Sequence, residues 1–331
     1  MKRHMATSPI FRIASMVLLG CLLSACRNGN PSSTQASASA VEATNAEDAQ
    51  DSPPLVLPDT ATHTVADSVT GRIYPLWVAL PASYGDEPGK RYPVLYATDA
   101  PYSFALVRSI RNLVGQRGRN IEDFILVGLP PQEGLSHRDS RLRDYTISNP
   151  LGKPGRNAEI YSGSAYGEAD RYRDYLQRDV FALVEKTYRT DPARRLFAGH
   201  SVGGLFGAHV LLTKPEMFSA YILSSPSLWF DQREIWNIER AYAEAHNDLP
   251  ARVTLYIGMY ETRGDDARYY KNADMVGDNR AFQQLLQSRG YPGLEVHGEV
   301  VADEDHFTVY PSAITRALIR LLPGKGPYSS G

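Results

Sequence analysis

From about residue 59 onward, short apolar runs alternate with longer stretches whose apolar positions recur at helical spacing. Thr60 to Pro81 alternates around Val65-Ala66-Asp67 and again from Ile73 to Leu80, with Thr70-Gly71 between, which predicts an antiparallel hairpin. Val94 to Thr98 reads as a buried strand ending at Asp99, and Phe104, Leu106, Val107, Ile110, Leu113 and Val114 continue as a helix. Phe124 to Val127 is the next strand. Pro130 to Gly167 is long and polar with few periodic apolar positions, and it reads as a functional loop. An amphipathic helix is predicted over Glu168 to Tyr188, then a strand over Arg195 to Ala198 and a helix carried by Leu205, Phe206, Ala208, Leu211 and Leu212. Strands at Tyr221 to Leu223, Val253 to Ile257 and Leu294 to Val301 alternate with helices at Arg233 to Asn247, Asn279 to Gln287 and Pro311 to Leu321. Such alternation implies an α/β fold, with a mostly parallel central sheet covered by helices on both faces and the N-terminal hairpin adding antiparallel strands.

The N-terminal segment changes the picture of where this domain sits. Lys2, Arg3, His4 and Arg12 make it basic, Ile13 to Leu23 is apolar, and Leu23-Ser24-Ala25-Cys26 closes it with small residues before a cysteine. This resembles the lipobox of bacterial lipoproteins, which implies a signal peptide over residues 1–25 and a lipid on Cys26. The tract from Arg27 to about Pro58 is rich in Ser, Ala, Asn, Asp and Pro, and it reads as a disordered linker to a domain spanning residues 59–331. The expected location is the cell envelope, lipid-anchored to a membrane and facing the periplasm. The two cysteines are Cys21 and Cys26, so the domain carries none for a disulfide, a thiolate nucleophile or a cysteine metal site. A formal charge of −2 gives no electrostatic case for nucleic acid.

The chemistry centres on Gly199-His200-Ser201-Val202-Gly203, a G-x-S-x-G pattern between an apolar run and an apolar helix. A serine hydroxyl is a weak nucleophile, and a sharp strand-to-helix turn lifts it clear of the sheet, where a base can reach it. In the α/β-hydrolase arrangement the partners follow in the chain order serine, acid, histidine, on loops after strands. His63, His137 and His200 precede the serine or sit inside the motif, His209 lies on the following helix, His246 ends a surface helix and His297 is within a strand. That leaves His306, on the polar loop Asp303-Glu304-Asp305-His306-Phe307, as the general base. Glu261, Asp265 and Asp266 follow the strand Val253 to Ile257, and Glu261, nearest the strand end, is preferred as the acid. The acidic run beside His306 has no paired histidine at ligand spacing, so no metal and no cofactor is expected. One oxyanion donor is the Val202 N–H. The other comes from Asp99-Ala100-Pro101-Tyr102, where Pro101 has no N–H and either Ala100 or Tyr102 must serve; Tyr102 is chosen.

The chain resembles the putative esterase family of the α/β hydrolases, in the branch of enterobactin and salmochelin siderophore esterases. The resemblance rests on Tyr92-Pro93-Val94-Leu95-Tyr96 before Asp99, Arg143-Asp144-Tyr145-Thr146, Gly199 to Phe206, Ser224-Ser225-Pro226-Ser227-Leu228-Trp229 and His306 before the terminal helix. It also favours Glu261, through Gly258-Met259-Tyr260-Glu261. The chain departs from the family at Asp99-Ala100-Pro101, where Asp-Gly and a non-proline residue are usual. The implied activity is serine carboxylic-ester hydrolysis through a Ser-His-Glu triad and an acyl-enzyme, on siderophore trilactones or other aromatic esters. Acyl transfer within the same fold and an inactive envelope binding lipoprotein are the rivals. Arg138, Arg141 and Arg143, on the long polar stretch, are candidates to bind an anionic or phenolate ester or else are solvated or structural; Trp229 either stacks on an aromatic acyl group or packs internally. The expected partners are a small-molecule ester and, through the lipid, a membrane.

Overall fold

A computed structural model describes residues 55–154, 165–270 and 273–326; the signal peptide, Cys26 and most of the linker lie outside the described residues. Residues from Val56 onward form one unit. In chain order, strand β1 (Thr60–Ala66) pairs antiparallel with β2 (Ile73–Ala79), and β3 (Tyr92–Thr98) leads into helix α1 (Ala100–Leu113). After β4 (Ile125–Leu129) come α2 (His137–Tyr145) and the helical stretch α3 (Ala169–Tyr175) and α4 (Phe181–Thr187), joined by a wider π-type turn at Leu176–Val180. Next are β5 (Thr190–His200), α5 (Val202–Thr213), β6 (Ala220–Ser224), the short α6 (Phe230–Arg233) and α7 (Ile235–Ala245). The chain continues through β7 (Ala251–Gly258), α8 (Met275–Ser288), β8 (Leu294–Val301) and α9 (Val309–Leu321).

The eight strands form one sheet in the order β1-β2-β4-β3-β5-β6-β7-β8, antiparallel at β1, β2 and β4 and parallel from β4 through β8. Strand alternation divides the core. Val94 and Tyr96 of β3 join Phe197, Tyr221 and the helices α4, α5 and α7 on one face, whereas Leu95 and Ala97 join Leu196, Ile222 and the helices α1 and α9 on the other. With both faces covered, the central strands are buried at nearly every position, which is why they read as continuous apolar runs. The hairpin, the parallel sheet and the two helical layers match the fold expected from periodicity.

The polar stretch after β4 differs from its reading as a loop, since it contains α2. This helix is held by capping and ion pairs rather than by an apolar stripe. Ser136 caps it by accepting from the Asp139 N–H at 3.0 Å, and Arg143 and Asp144 pair with each other at 2.8 Å. Hydrophobic periodicity is blind to a helix built that way.

Candidate active site

The parallel strands end on one edge of the sheet, and that edge carries Asp99 after β3, Ser201 after β5, Ser225 after β6, Glu261 after β7 and His306 after β8. Ser201 sits in a strained conformation, φ 59° and ψ −118°, between the last residue of β5 and the first of α5. The turn is fixed by three backbone bonds: the Ser201 N–H donates to the Ser224 carbonyl at 2.9 Å, and the Ser201 carbonyl accepts from Leu205 and Ser227, each at 3.0 Å. A Cβ at Gly199 would fall 2.3 Å from the Gly203 carbonyl oxygen, so the first glycine of the motif is required by the closeness of the helix to the strand. The first amides of α5, beginning at Val202, lack helical acceptors and lie next to the serine.

On the neighbouring loops Glu261 is fully buried, and its Oε2 lies 2.6 Å from His306 Nδ1. Its other oxygen accepts from the Gly258 N–H at 2.8 Å and from the Ser225 hydroxyl, so the carboxylate is satisfied on both sides. The two loops are tied by Met259 N–H to Val301 carbonyl at 2.9 Å and Tyr260 N–H to Glu304 carbonyl at 3.1 Å. Gly258 permits that approach, since a Cβ there would meet Glu304 oxygen at 2.5 Å. The acidic run has structural work: Asp305 accepts from the N–H groups of Phe307 and Thr308 at 3.0 and 3.1 Å, and Glu304 accepts from the Ser312 hydroxyl at 2.8 Å.

Ser201 and His306 line the same cleft, of about 800 Å³, a volume within the range of sites for small organic ligands. The Ser201 hydroxyl lies 3.3 Å from the Ser227 hydroxyl and makes no hydrogen bond to His306 among the described residues. Nucleophile-to-base bonds commonly tighten only when substrate is in place. His200, inside the motif, lies 4.7 Å from the His306 ring at a 40° tilt and has its pKa pushed down to about 3, by burial first and then by the neighbouring His306 and Arg141. It is therefore a neutral wall, bonded to the Ser224 hydroxyl at 3.1 Å.

A second carboxylate organises the opposite wall. Asp99, 1% exposed and itself in a left-handed conformation, accepts from Arg141 Nε at 2.8 Å and Nη2 at 3.1 Å, from the Tyr102 hydroxyl at 2.9 Å, and lies 2.9 Å from His137 Nε2. Burial alone would raise its pKa, but Arg141 and His137 outweigh that and hold it well below the usual carboxylate range. Arg141 Nη2 also reaches the His200 carbonyl at 3.2 Å, which links this wall to the elbow. Pattern reading overlooked Asp99 and His137. Nothing in their spacing shows that a strand end and a helix start nearly forty residues apart converge.

Three assignments are corrected. Arg143 is 7% exposed and is not in the cleft wall; it donates to Asp144 and, at 3.0 Å, to the Tyr74 hydroxyl, so it locks α2 onto the sheet. Trp229 is half-buried against the apolar core and likewise stands outside the cleft wall. The Tyr102 N–H is already used, donating to the Asp99 carbonyl at 3.1 Å in the first turn of α1. Ala100, at the start of that helix, replaces it as the candidate donor. Arg138 and Arg141 do line the cleft, beside Tyr102, Phe307 and Tyr310.

Comparison with known proteins identifies the family. The family described as "Putative esterase" matches residues 68–321, and the chain belongs to it. The ferri-bacillibactin esterase of Bacillus subtilis is 25% identical over 281 residues, covering 83% of this chain and 94% of its own length. The siderophore triacetylfusarinine C esterase of Aspergillus fumigatus is 26% identical over 271 residues, covering 75% of this chain and 88% of its own. Among solved structures, a BES protein from Bacillus cereus shares the fold with a TM-score of 0.69 at 21% identity, covering 82% of this chain and 98% of that one. The protein is a carboxylic-ester hydrolase of the α/β-hydrolase fold.

Proposed function

We propose that this esterase hydrolyses siderophore or related aromatic esters through a Ser201-His306-Glu261 triad and an acyl-enzyme. One observation carries the reading: a buried carboxylate 2.6 Å from the imidazole of His306, in a cleft whose wall also holds the strained Ser201. Glu261 orients the ring so that Nδ1–H faces the carboxylate and Nε2 is left to take the serine proton. Ser201 Oγ then attacks the ester carbonyl, and the Val202 and Ala100 N–H groups hold the developing oxyanion. His306 returns the proton to the leaving alkoxide as the C–O bond breaks. Water, deprotonated by the same ring, releases the acid and regenerates the serine.

The substrate class is supported by the lining. Tyr102, Phe307 and Tyr310 offer aromatic faces beside the guanidinium groups of Arg138 and Arg141, a combination suited to ring-bearing esters with oxygen substituents. The relatives that are esterases of ferri-bacillibactin and of the siderophore triacetylfusarinine C support the siderophore part of this reading. A panel of acetyl, long-chain acyl, feruloyl and siderophore lactone esters tests it. Siderophore or other aromatic esters should be turned over at least ~10-fold faster than alkyl ones, a difference of about 1.4 kcal/mol in transition-state binding. Ser201→Ala should lower every rate by about 10³-fold or more and abolish fluorophosphonate labelling. Labelling that persists in that variant, or a flat panel, would sink the respective half of the reading.

The enzyme is further read as an envelope lipoprotein anchored through Cys26, on the strength of the basic, apolar and small-residue order before that cysteine. Cys26→Ser should move the enzyme from the detergent-extracted membrane fraction to the soluble one. An unchanged distribution overturns the anchor.

A further inference from the structure

The Asp99 cluster lies in the cleft but has no part in the acyl transfer described above. Three of the side chains in the cleft wall, Tyr102, His137 and Arg141, hang from that single carboxylate. Arg141 is a cation and brings donors only, whereas the Tyr102 hydroxyl spends its proton on Asp99 and keeps only its oxygen lone pairs. His137 differs. Its Nε2 faces an ionised, buried carboxylate, which fixes the proton on that nitrogen; a neutral imidazole with Nε2–H presents Nδ1 as an acceptor. Nδ1 makes no hydrogen bond among the described residues, and the ring, at the first position of α2 with its side chain 38% exposed, forms part of the cleft wall and meets Tyr102 edge-on at 6.2 Å.

We infer that His137 is a specificity-determining residue, whose Nδ1, oriented from behind by Asp99, accepts a hydrogen bond from a free hydroxyl on the aromatic part of the ester. The guanidinium groups of Arg138 and Arg141 line the same wall and complement an adjacent oxygen, so the wall presents an acceptor next to N–H donors. An aromatic group bearing a free hydroxyl beside a second oxygen matches that pattern, and its fully alkylated counterpart does not. The inference rests on the ester-hydrolase reading above and extends it to the choice of ring substituent.

The test compares kcat/KM for methyl esters of benzoic acid, its mono- and dihydroxy derivatives and the matching methoxy derivatives, in the unmodified enzyme and in His137→Phe. Phenylalanine keeps the ring and removes both nitrogens at a half-exposed helix start, where folding should survive; the circular dichroism spectrum and Tm check this. Expected is a preference for the best hydroxylated ester over its methoxy counterpart of roughly tenfold, as one neutral hydrogen bond supplies, falling toward unity in His137→Phe. A preference retained in the variant overturns the assignment, whether or not overall activity falls, because a merely structural role would lower all esters together. No preference in the unmodified enzyme overturns it equally. Failure of the enzyme to hydrolyse any ester would instead strike the underlying esterase reading, and the inference with it.

Discussion

The two histidine-carboxylate pairs in this cleft look alike and are wired differently. Glu261 receives the His306 ring, the Gly258 N–H and the Ser225 hydroxyl, with no arginine or lysine among these contacts. Asp99 receives the His137 ring together with the forked guanidinium of Arg141. The charge of Asp99 is therefore compensated by a fixed cation, whereas in the proposed mechanism that of Glu261 serves the imidazolium that would form on His306. A carboxylate beside a histidine does not by itself make a catalytic pair. What else touches the carboxylate decides.

That contrast predicts opposite signatures for two conservative substitutions. Glu261→Gln should lower kcat by about 10²–10⁴-fold through loss of imidazolium stabilisation and of the correct tautomer, with a modest effect on Tm. Asp99→Asn should leave the Arg141 charge largely buried without its partner, at a cost of about 3–5 kcal/mol in unfolding free energy, with the smaller proportional loss in kcat. Chemical denaturation and steady-state kinetics on both variants would check this. If Asp99→Asn proves the more damaging to kcat and leaves stability intact, the assignment of the two pairs must be exchanged.

A smaller effect probes the residue between them, since the His200 carbonyl takes Arg141 while its ring lies against His306. Its folded pKa is depressed to about 3 from an ordinary 6.5, so between those values the unfolded chain binds a proton that the native state refuses. Stability from this group is complete above pH 6.5 and is lost as pH falls toward 3, at up to about 1.4 kcal/mol per pH unit. Asp99, also depressed, adds to the loss only at the acid end, below its ordinary value of 3.8. Thermal unfolding between pH 6.5 and 4 should show the decline, and His200→Asn should flatten it. An unchanged slope would mean that the ring protonates without opening the fold.

Much of this was legible without coordinates, and the reason differs by element. The central strands declare themselves because a sheet covered on both faces leaves no solvated position in β3, β4 or β6. The serine turn is readable because its backbone strain and close contacts demand glycines at set offsets. His306 and Glu261 were singled out by chain order and by nearness to strand ends, constraints that topology imposes on any sheet of this winding. Helix α2 was illegible because ion pairs and an Ser136 cap hold it in place of periodic apolar residues.

What the amino-acid sequence by itself determined was therefore the layered sheet, the strained serine turn and the chain positions of its proposed partners, since these follow from local periodicity and from chain order. Only the tertiary structure decided which arginines face the cleft and that Asp99 gathers Tyr102, His137 and Arg141 into one wall. Those outcomes depend on the direction of side chains brought together from distant segments. Arg141 and Arg143 differ by two positions on one helix, and that rotation sends one guanidinium to the cleft carboxylate and the other beneath α2.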